Sequence, residues 1–404
     1  MNLLNHQRQA IAHLQEWKIG ALFMEAGTGK TRVACELINA IEEVDVVIWI
    51  APLRTITPLG NNPSIVTEIE KWSNRSSKFN YYGVESIQSS DRIYLELLSL
   101  ITTAKCPFVV VDESLKIKNA DAKRTKRLLE IGQYAKYKLI LNGTPLSKNL
   151  LDLWSQMEFL SPKILNMTLA QFKNTFCCYT KVTKSFGYRS YSKEFITGYE
   201  NIDYLHSLIK HYVYECDLHL NISQMYHNID YNIDDDSREE YNALKELFLS
   251  DETLEWKNNN IFLEMTQKMQ HAYCVTEDKF TQLNKLFESI PQEKTIIFCK
   301  YIKSREECER RYPNAKVLSY QRESLGLNLQ DYCYTVYFDK MWDYALRIQA
   351  GRRTYRVGQE VNCQYYDLTG NINLERLIDK NIDKKIDMSE YFKRKTKEEL
   401  KKEL

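Results

Sequence analysis

The chain has 404 residues, with 55 Lys and Arg against 54 Asp and Glu, a formal net charge of +1 and 44% apolar residues. At roughly 150 residues per domain, this length corresponds to two or three compact units, each able to bury its own core. A mean hydropathy of −0.48, with no apolar run near the ~18 residues needed to cross a bilayer, excludes an integral membrane protein, and the balanced charge excludes a uniformly basic nucleic-acid coat while permitting a local groove.

The opening residues, Met1-Asn2-Leu3-Leu4-Asn5-His6-Gln7, lack a basic region followed by an apolar core. No secretory signal is expected, and the chain is expected to stay in the cytosol. The ten cysteines are scattered, with no C-x-x-C pair and no Cys/His cluster at zinc spacing. They read as reduced, mostly buried thiols, the vicinal Cys177-Cys178 included.

In chain order, apolar runs of strand length occur at 20–24, 46–51, 108–111 and 139–141. Runs without polar alternation suit strands buried on both faces of a parallel sheet. Between the first two, Val33, Ala34, Leu37, Ile38 and Ile41 repeat at helical spacing, so residues 1–160 read as one α/β domain. From 161 to 277 the pattern becomes helical, with Leu205, Leu208, Ile209, Tyr212 and Val213 on one face. Ser237-Arg238-Glu239-Glu240 has the form of a capping box opening a helix with Tyr241, Leu244, Leu247 and Phe248 inside. Strand-like runs return at 295–298, 335–338 and 364–368, giving a second α/β domain over 278–388. The Lys- and Glu-rich tail, 389–404, reads as a solvated helix or a frayed end.

Two segments carry chemistry. Gly27-Thr28-Gly29-Lys30-Thr31 follows the first buried run and opens a helix, where glycines let successive N–H groups point at phosphate oxygens. Lys30 would pair with the β- and γ-phosphates and Thr31 would bind Mg²⁺. The first glycine of G-x-x-x-x-G-K-[ST] is absent, Met24 standing in its place. Phe108-Val109-Val110-Val111-Asp112-Glu113 delivers two carboxylates at the carboxyl end of a buried strand, where ligands of open parallel sheets collect. Asp112 would hold Mg²⁺ and Glu113 would orient and deprotonate the attacking water.

Taken with these, the later segments resemble the superfamily-two helicases and translocases of the Swi/Snf type. Leu4-Asn5-His6-Gln7 is similar to the adenine-sensing Q motif, which makes Gln7 the adenine partner. Ile50-Ala51-Pro52-Leu53 resembles motif Ia, followed by Glu68-Ile69-Glu70-Lys71-Trp72. Residues 112–119 resemble the D-E-x-H-x-x-K-N form of motif II. Leu141-Asn142-Gly143-Thr144-Pro145, with Asn149 and Leu153-Trp154, resembles motif III. Residues 294–298 resemble motif IV, and Leu325-Gly326-Leu327-Asn328-Leu329 resembles motif V. Gln349, Arg353, Arg356, Gly358 and Gln359 match motif VI. The resemblance implies two RecA-like parallel-sheet lobes with a helical insertion between them and ATP between the lobes. Gln349 would help bind ATP, with Arg353 and Arg356 as arginine fingers for the γ-phosphate.

Two departures stand out. Leu115 replaces the usual motif II His, so the hydrogen bond coupling that His to motif III is absent or supplied elsewhere. The stretch between Phe298 and Leu325 is short for this branch.

A motor that tracks a backbone grips phosphates with hydroxyls, main-chain N–H groups and scattered cations. The candidates are Pro52, Arg54 and Thr55 after motif Ia, Lys116 and Lys118 after motif II, Asn328 in motif V and Trp342 in the segment Phe338-Asp339-Lys340-Met341-Trp342. The basic stretch Lys116, Lys118, Lys123, Arg124, Lys126, Arg127 fits either a groove or a solvated helix face. Residues 181–191, which interleave Lys181, Lys184 and Arg189 with Phe186, Tyr188 and Tyr191, fit either a nucleic-acid contact or an amphipathic hairpin. The expectation is an ATP- and Mg²⁺-dependent motor on duplex DNA, of bacterial or viral origin. An unwinding helicase and a nucleotide-gated DNA clamp without processive motion are the competing readings.

Overall fold

A computed structural model describes residues 2–57, 64–143, 150–186, 189–250, 259–320, 329–356, 358–383 and 397–404. The chain divides into two compact units, Met1–Leu218 and His219–Leu404.

The first unit is built on β1 (Ile19–Met24), β2 (Val46–Ala51), β3 (Phe79–Gly83), β4 (Pro107–Asp112) and β5 (Tyr137–Asn142), followed by the pair β6 (Cys177–Phe186) and β7 (Arg189–Tyr199), and by β8 (Val213–Cys216). Six of these form a sheet in the order β3-β2-β4-β5-β1-β8, with every pairing parallel. Both faces are apolar because successive side chains alternate across the sheet. Leu22, Met24, Val47, Trp49, Phe108, Val110 and Leu139 pack into one core. Their neighbours Ala21, Phe23, Ile48, Ile50, Val109, Val111 and Ile140 pack into the other. Helices cover each face: Lys30–Asn39 buries Val33, Ala34, Cys35, Leu37 and Ile38 on the first, while Asp91–Thr103 and Lys123–Tyr134 bury Leu97, Ile101, Leu128 and Ile131 on the second.

The second unit carries β9 (Gln224–Tyr231), β10 (Thr295–Cys299), β11 (Lys316–Ser319), β12 (Tyr334–Tyr337) and β13 (Cys363–Gly370). Their order is β11-β10-β12-β13-β9, again all parallel. At its centre an ion pair is buried: Lys279 Nζ lies 2.9 Å from Asp339 Oδ1, with Lys279 1% and Asp339 3% exposed. Asp339 also accepts hydrogen bonds from Ser304 Oγ (3.1 Å) and Lys300 N (2.9 Å). Burial opposes the charge on Lys279, and the neighbouring Asp339 and Glu375 carboxylates more than restore it, raising its pKa.

Several expectations change in detail. The stretch 161–277 supplies helices, yet it is shared between the units: β8 completes the edge of the first sheet and β9 the edge of the second. Leu205 and Ile209 are buried on the helix Ile202–Ile209, but Val213 already belongs to β8. Residues 181–191 fall in the antiparallel pair β6 and β7, apart from 187 and 188, which lie outside the described residues. The helix expected to open at Ser237 begins earlier and spans Asp235–Ser250, because Asp234 Oδ1 accepts Ser237 N at 2.8 Å and takes the capping role. Tyr241 and Phe248 are buried there, whereas Leu247 is 60% exposed. The tail is not a solvated or frayed end at its terminus. Leu400 on the helix Lys397–Glu403 and Leu404 just past its end, one turn apart, are buried in the second core, and Tyr241 Oη donates to Leu404 O at 2.8 Å.

Candidate active site

The phosphate loop hangs from the carboxyl end of β1. Gly27 and Gly29 have φ of 90° and 85°, the left-handed region that glycine enters without penalty. A Cβ on Gly29 would also stand 2.3 Å from Gln7 Nε2, so the backbone approaches that side chain as closely as glycine allows. Gly29 caps the helix Lys30–Asn39, whose amino end with Thr31 in its first turn faces out of the loop. Lys30 Nζ donates to Met24 O at 2.8 Å and Glu25 O at 3.4 Å. A Cβ added at Gly143, just past β5, would lie 3.8 Å from Lys30 Nζ, so the end of β5 stands in van der Waals reach of that ammonium.

Of the other loop residues, Thr28 is buried and donates its hydroxyl to Glu25 O at 2.7 Å. Gln7, also buried, donates Nε2 to Thr28 O at 2.9 Å and accepts Leu4 N on Oε1 at 3.0 Å. Among the described residues these bonds leave one Oε1 lone pair and one Nε2 hydrogen of Gln7 unused. Beside the loop, the Arg32 guanidinium lies 4.4 Å over the Trp72 ring, and Trp72 Nε1 donates to Glu68 Oε1 at 2.7 Å. That ties the segment 68–72 to the helix behind the phosphate loop.

Asp112 ends β4, one strand removed from β1 across β5, which puts the two strand ends about 10 Å apart at ~4.8 Å per strand. Burial, reinforced by the adjacent Glu113 charge and opposed by Lys30, pushes the Asp112 carboxyl up to about 7. Among the described residues no group of three or more His, Cys, Asp or Glu side chains could hold a metal alone. Mg²⁺ commonly takes one or two protein ligands and completes its shell with phosphates and water, a shell for which Thr31 and Asp112 would be the protein ligands. Glu113 sits at φ 52°, an uncommon conformation for a non-glycine residue. Its amide donates to Asp112 Oδ1 at 2.9 Å.

The segment around Leu115 is joined to the following helix by its neighbours' side chains. Ser114 Oγ donates to Gln156 Oε1 at 2.6 Å, with both residues fully buried. Ser155 Oγ donates to Lys118 O at 3.0 Å, and Lys118 Nζ lies 3.4 Å from Asp152. These contacts join the segment after Glu113 to the helix Leu151–Leu160. No sequence pattern pointed to Gln156, because a glutamine inside a helix has no signature until its partner is known.

The nucleic-acid candidates are unequally placed. Arg54 is exposed, while Pro52 and Thr55 are buried and Thr55 Oγ1 donates to Pro52 O at 2.8 Å. Lys116 is half-buried and Lys118 half-exposed beside Asp152. Within the basic stretch, Lys123 and Arg127 both pair with Asp91, and Arg127 NH1 donates to Ile87 O, so these two serve the fold. Asn328 lies outside the described residues, as do Leu325, Gly326 and Leu327 of motif V and Thr144, Pro145 and Asn149 of motif III. Trp342 packs against the second core, and Lys300 Nζ lies 5.2 Å over its ring.

In the second unit, Gln349 belongs to the helix Tyr344–Gly351, followed by a buried Arg353 and a half-buried Arg356. Gln359 staples the turn after them: Nε2 donates to Gln330 O (2.9 Å) and Tyr332 O (2.8 Å), and Oε1 accepts Glu360 N and Val361 N. Arg347 is anchored by an ion pair to Asp367 and covers the Tyr337 ring.

A parallel sheet with a glycine phosphate loop after β1 and an acidic pair after β4 defines a P-loop nucleotide-binding lobe. The chain belongs to the SNF2-related domain family, which matches residues 6–312, and so to the Swi/Snf-type superfamily-two proteins, whose two RecA-like lobes are the two parallel-sheet units. Similar proteins include an uncharacterized ATP-dependent helicase of Mycoplasma genitalium, 22% identical over 93% of this chain and 41% of the relative. A Mycoplasma pneumoniae counterpart is 24% identical over the same shares. The SWI/SNF chromatin-remodeling complex subunit snf22 of Schizosaccharomyces pombe is 32% identical over 36% of this chain and 10% of its own length. The chain thus spans about two fifths or less of these relatives. Among solved structures, the Sulfolobus solfataricus SWI2/SNF2 ATPase core in complex with dsDNA aligns over 100% of this chain and 97% of its own, at 18% identity and a TM-score of 0.43. Among the described residues no helix is long and apolar enough to cross a membrane.

Proposed function

We propose that the chain is an ATP-driven motor that tracks along duplex DNA. The observation that carries this reading is the first-unit constellation of Lys30, Thr31, Asp112 and Glu113 at the carboxyl ends of β1 and β4, one strand apart, in a chain of the SNF2-related family. ATP is held by the loop Gly27-Thr28-Gly29 and by Lys30, with Gln7 reading the adenine edge. Thr31 and Asp112 hold Mg²⁺, which when bound neutralises charge on the β- and γ-phosphates. Glu113 orients the attacking water and accepts its proton. Arg353 and Arg356 supply positive charge to the departing phosphoryl group, and Gln349 contributes to nucleotide binding. Arg54, Lys116, Lys118, Asn328 and Trp342, with Pro52 and Thr55 shaping the motif Ia turn, form the DNA track. The motor works in the cytosol.

The test is ATP hydrolysis with and without duplex DNA. Stimulation by duplex, lost in Lys30→Ala and Glu113→Gln, is expected; hydrolysis indifferent to any nucleic acid would defeat the motor reading. Displacement of a triplex-forming strand without duplex separation selects translocation over unwinding, and stimulation without displacement would favour the clamp.

A further inference from the structure

Thr28 is the one residue between Gly27 and Gly29, and all its polar groups are engaged inside the first unit. Its amide donates to Glu25 O (3.3 Å), its hydroxyl donates to the same oxygen (2.7 Å), and its carbonyl accepts both Gln7 Nε2 and His6 Nε2, each at 2.9 Å. A carbonyl oxygen only accepts, so the His6 contact fixes the ring with its proton on Nε2. Flanking glycines at positive φ have no conformational preference that would hold this turn. One hydrogen bond fixes a distance. Two, from adjacent side chains of the helix Asn5–Leu14, fill both lone pairs and set the plane of the Thr28–Gly29 peptide.

We infer that His6 is a positioning residue for the phosphate loop: with Gln7 it clamps the Thr28 carbonyl and thereby aims the loop amides. The inference rests on the proposed binding of a triphosphate at this loop. Clamped amides need no reordering when the anion arrives, so affinity is gained through preorganisation.

Two variants separate a donor from mere bulk. His6→Leu removes the N–H, whereas His6→Gln returns an amide N–H at similar reach. Hydrogen–deuterium exchange of amides 27–31, measured by mass spectrometry without nucleotide, is expected to run about fivefold faster in His6→Leu, the effect of one hydrogen bond. His6→Gln should stay within about twofold of the wild type. The Mg-ATP dissociation constant from calorimetry should rise by the same factor in His6→Leu and recover in His6→Gln. Equal exchange in wild type and His6→Leu, or no recovery in His6→Gln, overturns the clamp. Faster exchange in His6→Leu together with no ATP binding by the wild type would support the clamp and refute the nucleotide reading instead.

Discussion

Asp339→Leu tests the buried ion pair at the heart of the second unit. The substitution strands the Lys279 ammonium, 1% exposed, and removes the acceptor for Ser304 Oγ and Lys300 N. Removing one partner of a buried pair costs about 3–5 kcal/mol, because the remaining charge is left without compensation. The double variant Lys279→Met/Asp339→Leu removes both charges and fills the space with apolar atoms, which is close to neutral in comparable cores. A coupling energy of about 2 kcal/mol or more between the two positions is therefore expected. Exchange of amides in β10 and β12 reads the second unit directly. At a tenfold change per ~1.4 kcal/mol, the single variant should exchange on the order of a hundredfold faster and the double variant should return most of the way. A single variant within about 1 kcal/mol of wild type, or a double variant as loose as the single, would refute the view that Asp339 holds this core through charge pairing.

Three further outcomes are expected. Burial lowers the Lys300 pKa to about 7, well below its ordinary value. The unfolded chain therefore binds the extra proton between that value and about 10.4, and stability should rise with pH from 7 upward, by at most about 1.4 kcal/mol per pH unit. Lys300→Met should flatten the rise in urea titrations at pH 7 to 9, and an unchanged slope would discount the shift. Leu400→Ala should destabilise the second unit by about 2–5 kcal/mol, whereas Lys402→Ala on the exposed side of the same helix should stay within about 0.5 kcal/mol; two silent variants in thermal unfolding would restore the solvated-tail view. Gly29→Ala combines a φ of 85° with a Cβ 2.3 Å from Gln7. It should weaken Mg-ATP binding by more than tenfold, at about 1–2 kcal/mol for the backbone alone, and calorimetry showing wild-type affinity would contradict the loop geometry.

Much of the structure of the first unit was legible because it is local. A continuous apolar run such as Val46–Ala51 is a strand buried on both faces wherever it is placed, and Gly27-Thr28-Gly29-Lys30-Thr31 curls by its own backbone freedom. The acidic pair after β4 needed no partner to be read, because the end of a buried parallel strand is where a carboxylate reaches a ligand. Tertiary structure decided what depends on residues far apart in the chain. β8 and β9 are edge strands of mixed polarity, Val213–Cys216 and Gln224–Tyr231, and each exists because a sheet edge was available to pair its backbone. Gln156 became the partner of Ser114, and His6 a partner of Thr28, only once helices were packed against the loops they serve. Burial likewise separated Leu400 and Leu404 from the lysines and glutamates around them. A residue's own conformational preferences are written in its neighbours along the chain, but the solvation and hydrogen-bond partners of a polar group are set by whatever the fold brings beside it.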